Sequence, residues 1–121
     1  MVQYPSSALD ASFAALSDAT RRGVLEQLAR ADASITDLAQ AFDMTLTGMR
    51  KHVRVLEEAA LVTTAKVGRV RTCRLGPGRL TNETAWIEWY RELWDSRFDR
   101  LEALVKGLEE KEKTDGSNER A

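Results

Sequence analysis

The stretch ASITDLAQAFDMTLTGMRKHVRVLEEAALV, residues 33–62, decides the fold. It reads as two short helices separated by a tight break. Ser34 or Thr36 stands where a helix needs a cap, because a hydroxyl just ahead of a helix accepts a hydrogen bond from an otherwise unpartnered backbone N–H. Ile35, Leu38, Ala39 and Phe42 then share one inward face, and the first helix ends near Phe42. Asp43 and Met44 make the break, and Thr45 caps the second helix, expected over residues 45–60. Its inward residues, Met49, Val53, Leu56 and Ala60, recur at steps of four, three and four and form one stripe. Thr47, Arg50 and Lys51 project from the opposite face. Two short helices joined by a few residues, the second basic on its outer side, are a helix-turn-helix.

Downstream, the period changes from helical to strand-like. LVTTAKV (residues 61–67) and VRTCRLG (residues 70–76) are short β-runs joined by Gly68 and Arg69. Glycine at that tip allows the positive φ of a tight hairpin. A hairpin over residues 62–76 directly after the second helix makes a wing, which Pro77 and Gly78 close. Upstream, Leu9, Phe13 and Leu16 mark a short amphipathic helix over residues 10–16, broken at Ser17 and Asp18. A helix over residues 19–31 follows, with Val24, Leu25 and Leu28 inward. From Leu80 to Lys111 a long helix carries Ile87, Tyr90, Trp94, Phe98, Leu101, Val105 and Leu108 on one stripe and Trp86, Trp89 and Leu93 on another. A small domain buries one such stripe. The second requires a partner, and a second copy of the chain is the simplest one.

The bulk properties fit this outline. A chain of 121 residues is one domain, here residues 8–111, with a loose arm at 1–7 and a disordered tail at 112–121. The expected class is mainly α with a small β-hairpin (α+β). No apolar run approaches the roughly 18 residues of a membrane span, and MVQYPSSALDAS lacks the basic start and apolar stretch of a signal peptide. A cytoplasmic location follows. Net charge is only −1. Yet residues 45–79 hold eight Lys and Arg against Glu57 and Glu58, so this segment carries +6 and the remainder −7. A local basic face on an acidic chain is the footprint of phosphate binding without general stickiness.

These strings together resemble the ArsR/SmtB-type winged-helix repressors. The resemblance rests on LSDATRRGVLEQLA (residues 16–29), ITDLAQAFDMT (35–45), KHVRVLEEAALV (51–62), VGRVRTCRLGP (67–77) and WIEWYRELWDSRFDRLEALV (86–105), and spans about residues 9–108. It implies a homodimer whose first and last helices pack across a two-fold axis, through Leu9, Phe13, Trp86, Trp89, Tyr90, Leu93, Trp94 and Leu101. It implies that recognition helices enter successive major grooves of double-stranded DNA, about 34 Å apart, and that the dimer represses. Carried over by position, Thr47, Arg50 and Lys51 read bases, while Thr45 and Arg54 position the phosphate backbone. Gly48 lets the backbone approach DNA or is a tolerated glycine. Lys66, Arg69 and Arg71 on the wing reach phosphates or the minor groove. His52 makes a phosphate contact or a helix-packing contact.

The resemblance also brings metal sensing, and here the residues argue against it. The places of the family's cysteine pair hold Ser34 and Thr36, and the last helix has no histidine. The soft thiolate and imidazole donors such metals select are missing. No cofactor is expected, and neither is an enzyme: there is no nucleophile motif, no phosphate-binding glycine loop and no second histidine. Two alternatives stay open at this point. One is a winged-helix module that binds another protein; the other is a repressor under redox control through the single cysteine, Cys73.

Overall fold

The computed structural model describes residues 6–119, with side chains over residues 7–113. The elements run α1 (Ser6–Leu16), α2 (Ala19–Leu28), β1 (Ala33–Ser34), α3 (Ile35–Ala41), α4 (Leu46–Glu58), β2 (Val62–Val67), β3 (Val70–Leu75) and α5 (Thr81–Glu119). This is a winged helix-turn-helix: α3 and α4 are the paired helices and β2–β3 the wing.

Local chemistry explains where these helices start and stop. Ser34 Oγ accepts from the Asp37 N–H at 3.0 Å, so Ser34, and not Thr36, caps α3. Thr45 Oγ1 accepts from the Gly48 N–H at 3.1 Å and caps α4. Both C-termini close in the same way. The Asp43 N–H bonds the Gln40 carbonyl and the Met44 N–H the Ala39 carbonyl; the Ala60 N–H bonds the Glu57 carbonyl and the Leu61 N–H the Leu56 carbonyl. Each pattern is a Schellman motif, which turns the chain through one left-handed residue. Those residues are Asp43, at φ 52°, and Ala60, at φ 60°. Ala60 therefore lies beyond the end of α4 and is exposed, not the last member of the inward stripe. The next residue, Leu61, turns back into the core.

The sheet has the order β1–β3–β2, antiparallel throughout. Two-residue β1, with Ala33 opposite Cys73 and Ser34 opposite Thr72, was not foreseen. It is too short to show an alternation, and only the presence of β3 makes it a strand. Gly68 takes φ 64° at the first of the two hairpin positions, while Arg69 stays at negative φ, as in a type II′ turn.

Val24, Leu28, Leu38, Met49, Val53, Leu56, Val62 and Cys73 centre the core, between the helices and the sheet. On α1 the deeply buried residues are small, Ser12 and Ala15, while Leu9 and Phe13 remain half-buried. The chain divides into a body that ends at Glu83 and a helical segment that begins at Thr84. Two expectations change at the ends. Ser6 and Ser7 already belong to α1, and the rest of the expected arm lies outside the described residues. α5 continues to Glu119 through most of the tail expected to be disordered. The run EEKEK at 109–113 consists of good helix formers, and no proline follows Pro77 to stop the helix.

Candidate nucleic-acid interface

The cap at Thr45 fixes where α4 begins, and the Met49–Val53–Leu56 stripe fixes its rotation against the core. Together they leave Thr47, Arg50, Lys51 and Arg54 exposed on the outer face. Arg50 and Arg54 are one turn apart, a like-charge pair that costs a few tenths of a kcal/mol in an isolated helix. The wing repeats the arrangement: Lys66 and Arg71 are directly opposite each other across β2 and β3. Like charges in that position also disfavour the strand pair. Among the described residues, Arg50, Lys51, Arg54, Lys66 and Arg69 make no salt bridge.

Helix and wing face each other across an open cleft of about 990 Å³. Arg50 and Arg54 line it from α4, and Lys66, Arg69 and Arg71 from the wing. The start of α3 closes one side with Ser34, Thr36 and Asp37, and Glu57 and Glu58 add acidic groups. The cleft thus gathers five of the ten residues nominated for DNA contact. Thr47 and Lys51 stand on the exposed face of α4 outside it.

Thr45 and Gly48 are occupied with each other. Thr45 Oγ1 accepts the Gly48 N–H, and a Cβ on Gly48 would lie 3.1 Å from that oxygen and 3.2 Å from Met44 Cε. The glycine thereby leaves room for the cap, a packing reason that neither earlier reading of it supplied.

His52 turns away from the exposed face of α4. Its Nδ1 lies 3.1 Å from Arg21 Nη1 and 4.0 Å from Asp18 Oδ1, with the side chain 20% exposed. Of the two readings open for His52, this is the helix-packing contact. Arg21 is the centre of a clamp that the sequence did not reveal. Its Nε donates to the Ala15 carbonyl at 2.9 Å and its Nη2 to the Ala14 carbonyl at 2.8 Å, satisfying the end of α1. Asp18 caps α2 through the Arg21 N–H, and that hydrogen bond holds its carboxyl below the ordinary carboxylate range. One arginine therefore joins α1, α2 and α4.

A second connection was also missed. Thr64, on β2, accepts a hydrogen bond from Arg71 Nη1 at 3.0 Å and donates one to Glu57 Oε2 at 3.2 Å. Arg71 is therefore held toward α4. Its only advance signal was a spacing of seven residues on either side of Thr64, which is unspecific.

Cys73 lies in the core with no exposed surface. Burial, then the nearby Glu57 carboxylate, pushes its thiol up to about 11, against a partial offset from Arg71. An oxidant requires an accessible thiolate, so the redox alternative loses its physical basis. Among the described residues no helix is long and apolar enough to cross a membrane.

Residues 16–65 match the sequence profile of a helix-turn-helix domain family. An HTH-type transcriptional regulator of Bacillus subtilis (strain 168), YuzN, is 36% identical over 87 residues, covering 65% of this chain and 95% of that protein. The crystal structure of an ArsR family transcriptional regulator superposes with a TM-score of 0.71 at 44% identity, over 79% of this chain and 98% of the other. An ArsR-like transcriptional regulator from Rhodococcus sp. RHA1 gives a TM-score of 0.73 at 32% identity, over 84% and 93% of the two chains. The shared fold, the sequence identity and the near-complete coverage of these relatives lead to one conclusion: the chain belongs to the ArsR family of helix-turn-helix, DNA-binding transcriptional regulators.

Proposed function

We propose that this regulator is a homodimeric repressor that binds a pseudo-palindromic operator without sensing metal. The observation that carries the reading is the cleft in which Arg50 and Arg54 of α4 face Lys66, Arg69 and Arg71 of the wing. Cations gathered here without a direct salt bridge to the carboxylates of the cleft are relieved by an anion that runs its length, and a DNA backbone is such an anion. Thr47, Arg50 and Lys51 then meet base edges in the major groove, with Arg50 suited to a bidentate contact on guanine. Arg54, Lys66, Arg69 and Arg71 meet phosphates, and the wing tip at Arg69 reaches the adjacent minor groove.

The dimer is supported by apolar surface. Trp86, Trp89, Tyr90, Leu93, Trp94 and Leu101 on α5 are each 38–52% exposed in the single chain. Rings follow one another along the helix: Trp86 stacks on Tyr90 at 5.6 Å, Tyr90 meets Trp94 edge-on at 6.3 Å, and Trp94 meets Phe98 at 6.3 Å. These residues fit a two-fold contact in which each copy covers the other. Metal independence is supported by the donor set. Ser34 is committed to capping α3, His52 to Arg21, and the buried thiol of Cys73 stays protonated.

A nuclease footprint on a duplex selected by the native protein tests the proposal. Two protected half-sites about one helical turn apart are expected, together with lower output from a reporter promoter carrying that site. Protection of a single half-site removes the dimeric reading, and higher reporter output removes repression.

A further inference from the structure

We propose that Thr64 is a positioning residue for DNA binding, setting Arg71 in the cleft beside α4 for contact with a backbone phosphate. The proposal rests on the DNA-binding reading above and concerns a residue with no part in it so far.

The chemistry of the three partners fixes the direction of the connection. A hydroxyl offers one proton and two lone pairs, and an ionised carboxylate only accepts. Thr64 therefore gives its proton to Glu57 Oε2, at 3.2 Å, and turns a lone pair to Arg71 Nη1, at 3.0 Å. An arginine guanidinium has no acceptor, so the chain Arg71→Thr64→Glu57 runs one way only. Strand register supplies the need for it. Lys66 lies directly opposite Arg71, and mutual repulsion favours conformers in which Arg71 swings out from the hairpin. The Thr64 bond counters this and keeps the guanidinium on the side of the wing that lines the cleft. Glu57 sits on the last turn of α4, so the same chain ties the wing arginine to the helix whose position it must match. Ordering a long side chain before binding removes an entropic cost that the complex otherwise bears.

The test measures affinity and its salt dependence on a duplex selected by the full-length protein from a random-sequence pool. Thr64→Val and Thr64→Ala differ in strand propensity but both lose the hydroxyl. Both are expected to lower affinity about three- to tenfold while leaving the slope of log K against log salt unchanged, because Arg71 still neutralises its phosphate once bound. Thr64→Ser is expected to restore binding. Arg71→Ala is expected to reduce the slope by about one phosphate, and in that background Thr64→Val should add nothing. A loss of folding would appear in both backgrounds, which separates it from a loss of positioning. Native-like binding by both hydroxyl-deleted variants, or an equal loss with Arg71 already removed, overturns the proposal and leaves the DNA-binding reading standing. A native protein that selects no duplex overturns both.

Discussion

Every deeply buried apolar side chain among the described residues, from Ala15 to Cys73, belongs to the body that ends at Glu83, whereas the large apolar residues of α5 from Trp86 to Leu108 are exposed. Hydrophobic spacing is regular in both regions, yet only the body buries its apolar side chains deeply. The body closes on itself because its helices are short, α2, α3 and α4 are capped, and a sheet packs against them. The segment from Thr84 is a single helix with more than one apolar stripe, and a lone helix has no second surface on which to fold. The body therefore carries the basic cleft, and α5 carries the exposed apolar surface. On the proposed function, one region faces DNA and the other faces a second copy.

The sharpest way to break the comparison is to charge the apolar helix. Trp94→Glu is expected to weaken self-association at least about 100-fold, since an aromatic anchor that the proposed dimer would bury is replaced by an unpaired charge. Sedimentation should then give a monomer whose body retains its native melting behaviour. A dimer that survives this change places the contact elsewhere.

A smaller effect is expected within the body. Ala60 occupies a left-handed position that costs an L-residue roughly 1 kcal/mol, so Ala60→Gly is expected to stabilise by about that amount in denaturant unfolding. Dimerisation should not respond. No gain would mean that the turn relaxes without its Cβ being a burden.

Cys73 gives the next, in pH dependence. Its thiol is raised to about 11 in the folded chain from an ordinary 9.0. The unfolded chain therefore ionises first, so the contribution is fully present below pH 9 and is lost as pH rises toward 11. Cys73→Ala should flatten that part of the stability profile at some cost in packing. At pH 8 the native thiol should resist alkylation until the protein unfolds, and peroxide should leave DNA affinity unchanged. Rapid labelling of the folded protein would return a redox role to consideration.

What the sequence displayed and what it concealed follow the same physics. The caps at Ser34 and Thr45, the Met49–Val53–Leu56 stripe and the Gly68 turn depend on neighbours within a few residues, so they are legible one window at a time. The end of α4, at Glu58, was read two residues too far because alanine at Ala60 carries no mark of its left-handed conformation. β1 exists only because β3 lies beside it. The Arg21–His52 contact joins residues 31 apart, and no local spacing announces it. Among the candidate site residues, exposed cations on α4 and the wing were legible as the outward complement of the apolar stripe. The uses of Gly48, His52 and Thr64 were not, since each is defined by the side chain it touches.

The central claim is that the exposed cations of α4 and the wing bind DNA, and one measurement addresses it directly. Binding of the purified protein to its selected duplex is titrated against salt, with and without Arg50→Ala and Lys51→Ala. The account expects native affinity to fall steeply as salt rises and each substitution to cost about 1–3 kcal/mol if it removes a base contact. Binding that is indifferent to salt and to both substitutions would contradict the account and move the interface away from α4.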